Sequence, residues 1–138
     1  MTFARWVYRV AGIYGILCLA PFLFLEEKIG RDYPPAITHP EHYYGFVGVG
    51  LAWQLAFLII AADPVRYRPL MTATLIEKGL FGIATLVLFA QRRIPGLVLA
   101  LGITDLVLGM LFLIAYLRSP VLSDPSWGDS RARPSEVA

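Results

Sequence analysis

Charge is scarce in this sequence. Only 16% of its 138 residues are Asp, Glu, Lys or Arg, against about 25% in an ordinary soluble domain. A water-facing globule with so few charges and 57% hydrophobic residues would expose large apolar patches and aggregate. Cysteine is rarer still. The single one, Cys18, excludes an internal disulfide and lies in an apolar run with no basic neighbour to favour its thiolate, so it reads as a packed side chain. The preceding Gly15-Ile16-Leu17 lacks the small pair of a lipoprotein cysteine. There are two histidines. No Gly-rich phosphate loop, serine-nucleophile motif or CxxC occurs, and no basic block suits nucleic acid. Neither a cofactor nor a resident metal is called for by any of these motifs.

What the chain has in abundance is long apolar runs, and its mean hydropathy is +0.63. A bilayer core about 30 Å thick is crossed by roughly 20 apolar residues in a helix. Four segments meet this, at about 6–25, 43–62, 71–89 and 94–117. They lack the alternation of barrel strands, and an open sheet edge would leave unpaired backbone groups in lipid. The expected fold is therefore all-α: an up-down four-helix transmembrane bundle over 1–118, followed by a disordered cytoplasmic tail at 119–138 that is rich in Ser, Pro, Asp and Arg. Arg5 and Arg9 before the first run resemble the start of a signal peptide. The run ends in Pro21-Phe22-Leu23-Phe24-Leu25, without a small-x-small cleavage site, so a retained span is expected. Prolines punctuate the rest. Pro34-Pro35 and Pro40 predict an extended first loop, and Asp63-Pro64 stops the second helix. Pro69 precedes the third helix, Pro95 opens the fourth, and Ser119-Pro120 ends it.

Basic residues set the orientation. Arg5, Arg9, Arg66, Arg68, Arg118, Arg131 and Arg133 share one side, and Lys28, Arg31, Arg92 and Arg93 share the other. Seven against four predicts both termini in the cytoplasm (N-in/C-in) of a multi-pass cell-membrane protein. Trp6, Tyr8, Tyr43, Tyr44, Tyr67 and Tyr116 fall near span ends, where an aromatic belt is expected. Gly12-Ile13-Tyr14-Gly15-Ile16 echoes Gly79-Leu80-Phe81-Gly82-Ile83. That is either a duplicated hairpin or two uses of small residues to bring helices close.

The candidate site comes from polar residues inside the spans, which are costly in lipid and usually face the bundle interior. The ionisable ones are Glu77, Lys78 and Asp105, and the neutral amide is Gln54. From a rise of about 1.5 Å per residue, Asp105 lies roughly 15 Å deep, Gln54 lies at a similar level, and Glu77 and Lys78 lie roughly 10 Å from the cytoplasmic boundary. Tyr14 enters from that side at comparable depth. The five are expected to gather in one polar cluster. Gly102, Asp105, Gly109, Phe112 and Tyr116 share one helix face, and Gly50, Gln54, Phe57 and Ala61 another. Asp105 cannot snorkel from mid-membrane, so it must be neutralised, hydrogen-bonded or paired. A bond to Gln54 is the structural expectation. Side chains lean toward a helix N-terminus, so a direct Lys78–Asp105 bridge is possible but not favoured, and the alternative to a polar cluster is that Glu77 and Lys78 snorkel toward the cytoplasm, with Glu77 paired to Arg66 or Arg68.

His39-Pro40-Glu41-His42, just before the second span, combines two imidazoles and a carboxylate. The expected role is an interfacial loop with a helix cap, with metal binding the lesser alternative.

Four short spans, Tyr43-Tyr44-Gly45-Phe46 opening the second, and an acid in the fourth give a layout that resembles DoxX-like and related small bacterial four-helix membrane proteins over residues 6–117. The resemblance implies a bundle and a membrane role, sometimes redox-associated, with no residue roles to carry over. Three functions fit. The first is a binding or accessory protein that holds a lipid, a quinone or a partner helix. The second is an enzyme on a lipid-soluble substrate with Asp105 or Glu77 as acid or base. The third is a small proton or solute carrier. The missing nucleophile and cofactor motifs favour the first. The lipid bilayer is the partner common to all three.

Overall fold

The computed structural model of the protein describes residues 2–121. Trp127 and most of the expected tail lie outside them. All regular structure in the described chain is helical, and the described residues have no strands. Four helices are long and apolar enough to cross a membrane, so the protein is read as a multi-pass membrane protein. They are α1 (Thr2–Leu19), α3 (Pro40–Ala62), α4 (Arg68–Ala90) and α5 (Gly96–Arg118), with a short α2 (Glu26–Asp32) in the first loop.

Local chemistry explains the boundaries. Pro21 has no N–H for the Leu17 carbonyl, and its ring crowds that carbonyl. The α-helix accordingly stops at Leu19, and a 3₁₀ segment, Ala20–Phe24, completes the first span. The first loop was expected to be extended. Instead Glu26 and Glu27 in the first turn and Arg31 in the last complement the ends of α2, and Lys28 pairs with Asp32 at 2.6 Å. Pro40 and Pro69 stand in the first turns of α3 and α4, so Pro69 lies inside its helix and does not precede it. Pro95 caps α5 from outside, with extended backbone, one position earlier than expected. Helix α4 ends in a Schellman turn: Arg93 N–H donates to the Leu88 carbonyl and Arg92 N–H to that of Phe89, each at 2.9 Å. Arg92 takes the left-handed position there, at φ 57°, where glycine is usual.

The bundle is built as two hairpins. Helix α1 packs along α3 and α4 along α5, while α1–α5 contact is smaller and α3–α4 contact slight. One aromatic layer joins all four helices. Tyr8 is fully buried and stacks on Phe112 (centroids 4.1 Å apart, planes 14° apart), while Phe57 meets both rings edge-on. The Tyr8 hydroxyl shares a 2.8 Å hydrogen bond with Thr74. The layer holds the early turns of α1 and α4 together with the late turns of α3 and α5, which is the up-down order. Tyr8 is thus a core residue rather than part of an interfacial belt. Each aromatic pair adds about 0.5–1.5 kcal/mol beyond area burial. That matters in lipid, where burial of apolar surface does not drive helix association.

Glycines set the close approaches within each hairpin. A Cβ on Gly12 would strike Leu58, and one on Gly15 would strike the Gln54 amide. In the second hairpin, a Cβ on Gly82 would strike Leu106, and one on Gly102 would strike Thr85. Gly79, the counterpart of Gly12 in the sequence echo, faces open space. The echo therefore holds at Gly15 and Gly82 and fails at Gly12 and Gly79.

Candidate functional site

Lys78 is the centre of the polar site. Its side chain is 6% exposed, and its ammonium donates to Asp105 Oδ1 at 3.1 Å and to Glu77 Oε1 at 3.3 Å. The Phe57 ring lies below, with its centroid 5.3 Å from Nζ, so the aromatic layer gives the cation a third attractive neighbour. This corrects the expectation that Lys78 would lean away from Asp105. Arg68 Nε donates to the Ser119 carbonyl at 3.0 Å, which puts the start of α4 level with the end of α5. By the helical rise Gly109 is then level with Lys78, and Asp105 lies about one turn beyond. A Cβ on Gly109 would come within 3.3 Å of the Lys78 Cβ. The missing side chain at Gly109 lets the lysine stem run against its lean, up α5 to the carboxylate.

Glu77 does not pair with the loop arginines. Arg68 lies over the Tyr116 ring at 4.0 Å, and the Arg66 guanidinium lies 5.7 Å from the centroid of Tyr67. Glu77 Oε1 accepts from Lys78, and its Oε2 is buried with no hydrogen-bond partner among the described residues. The Glu77 and Asp105 side chains are 25% and 17% exposed, so the pair reaches the side of the bundle while Lys78 lies beneath it.

Gln54 lies apart from this centre. It is 3% exposed, and its amide donates to the Gly50 carbonyl of its own helix at 3.1 Å, not to Asp105. Its Oε1 has no conventional donor and fills the space that a Gly15 side chain would take. Gln54 thus serves the α1–α3 crossing. Tyr14 is 41% exposed and shares no hydrogen bond with the other four candidates. Of the five expected residues, three come together. Phe57 and Gly109 complete the surroundings of Lys78. The sequence shows both on the right faces but does not mark them as neighbours of the charge.

The His39-Pro40-Glu41-His42 segment also departs from expectation. His39 is the N-cap of α3 but forms no side-chain capping hydrogen bond. Its Nδ1 instead lies 3.1 Å from Glu41 Oε1.

The chain matches no family model, curated protein or solved structure in comparisons with all three.

Proposed function

We propose that this is a binding or accessory protein of the cell membrane whose bundle holds a hydrophobic small molecule by a hydrogen bond to the Glu77–Lys78–Asp105 centre. The observation that carries the reading is the imbalance of the centre. Two carboxylates share one ammonium, and Glu77 Oε2 is buried without a donor. Ionised groups in lipid are tolerated when paired and satisfied, and this set is one positive charge or donor short. A ligand that supplies a hydroxyl or N–H would complete it. The centre lies roughly 14–20 Å from the Arg118 end by helical rise. Quinol-type hydroxyls on a flat apolar body suit that depth better than a charged lipid headgroup. The exposed Ile76 and Leu80 beside Glu77 offer such a body an apolar surface. Both termini are taken as cytoplasmic, from the arginine count. The DoxX-like resemblance is consistent with a small bundle in this role and supplies no ligand.

Intact-complex mass spectrometry of wild type, Glu77→Gln and Asp105→Asn, extracted from native membranes, tests the reading. We expect a small molecule with wild type that is lost or depleted in both variants. If all three carry the same partner protein and no small molecule, the centre is structural and the chain is a subunit of a larger assembly. Proton flux through wild-type liposomes, abolished by Asp105→Asn, would replace binding by transport.

A further inference from the structure

The other end of the bundle gathers a second set of donors. His39 Nδ1 lies 3.1 Å from Glu41 Oε1, and His42 Nε2 lies 3.9 Å from the same oxygen. The donor atoms of all three residues lie within 4.8 Å of one another. We propose that His39, Glu41 and His42 form an open three-donor site for a divalent ion of the zinc class.

Local structure explains why the donors converge. Pro40 fixes the first helical position, and His42 N–H donates to the His39 carbonyl at 3.1 Å, so the two histidines stand one turn apart on one side of the helix start. Because His39 caps nothing, its ring is free to turn toward Glu41. The imidazole centroids are 5.4 Å apart and the rings tilted by 51°. The next residue anchors the turn: the Tyr43 hydroxyl donates to the Phe22 carbonyl at 2.6 Å, tying the start of α3 to the end of the first span. A held first turn presents donors with less freedom to lose on binding.

The spacing fits a small ion. Zinc–donor bonds of about 2.0–2.1 Å put tetrahedral donors about 3.3–3.4 Å apart. The His39–Glu41 gap, at 3.1 Å, is already shorter, and the two gaps to His42, at no more than 4.8 Å, require the exposed His42 ring to turn inward as the ion binds. Two neutral imidazoles and one carboxylate leave a fourth position for water. Nitrogen donors select zinc or copper over magnesium, which prefers oxygen and keeps its waters. Glu41 in the first turn offsets the positive end of α3, which would otherwise oppose a cation.

The test uses untagged full-length protein in detergent, titrated calorimetrically with zinc chloride and, separately, magnesium chloride. Wild type should take one zinc per chain and no magnesium. His39→Ala/His42→Ala should lose the binding, and Glu41→Gln should weaken it about tenfold or more. These side chains are 65–81% exposed, so the variants keep their fold, which circular dichroism checks. The chain has no other histidine, so zinc uptake unchanged in the double variant would put the ion elsewhere and overturn the site. Absence of zinc binding by wild type would do the same. The copper(II) form gives a second readout. Its paramagnetic resonance should show coupling to two imidazole nitrogens, and a spectrum with none or one rejects the donor set.

Discussion

At the scale of single residues, the cost of the charged centre is unequally shared. Among the described residues Lys78 is the only cation paired with the two acids, so its loss leaves both without a counter-charge. Removing Asp105 leaves the Lys78–Glu77 pair intact. We therefore expect Lys78→Met to destabilise the protein by roughly 3–5 kcal/mol, the usual cost of orphaning a buried charge, and Asp105→Asn by clearly less. Thermal unfolding in detergent gives the order, and equal losses would refute the shared-lysine geometry. The sequence showed which residues had to matter, because an ionisable group within an apolar run stands out by itself. It did not show how they pair. Side-chain lean is a rule about the first bonds from the backbone. The long lysine stem and the bare Gly109 backbone overrode it. Gln54 was legible as buried, but its part in the α1–α3 crossing was not, because its neighbour Gly15 is distant in sequence.

At the scale of elements, the four spans were legible, since length and apolarity set them, and their ends shifted by only a few residues. Helix α2 was missed because prolines further along the loop obscured its well-placed charges. The hairpin pairing rests on glycines whose surroundings differ sharply. Gly82→Ala would press on Leu106 and crowd the Gly102 carbonyl, whereas Gly79→Ala meets nothing within 4 Å. Gly82→Ala should cost roughly 1–3 kcal/mol, as overpacking does, and Gly79→Ala should stay within about 0.5 kcal/mol. Thermal unfolding of the two variants side by side measures the difference, and a neutral Gly82→Ala would mean that the α4–α5 crossing is looser than described. The same contrast limits the duplicated-hairpin reading to one position of the echo.

For the whole molecule, the arginine count predicts both termini in the cytoplasm, and labelling reads the orientation directly. With Cys18 replaced by alanine, single cysteines at Ala36 and Gln91 should react with a membrane-impermeant maleimide on intact cells, and one at Ala62 should react only after lysis. The reverse pattern would invert the protein. The two-hairpin build also bears on how the chain enters the bilayer. Glu77 and Lys78 belong to α4 and Asp105 to α5, so the charged centre is contributed wholly by the second hairpin. An acid or base near the middle of a lone inserting helix costs about 2.5–3.5 kcal/mol. Once α4 and α5 lie side by side, Lys78 is paired with both acids before the first hairpin is engaged. The second hairpin would then leave the insertion machinery as a pair, and a nascent chain ending after Gln91 should hold α4 in the membrane poorly. The cysteine at Gln91 reports on this: labelling on intact cells as complete in the truncated chain as in the full one would show that α4 does not wait for α5. Biogenesis would then be the step at which Asp105 matters first, before any ligand reaches the finished bundle.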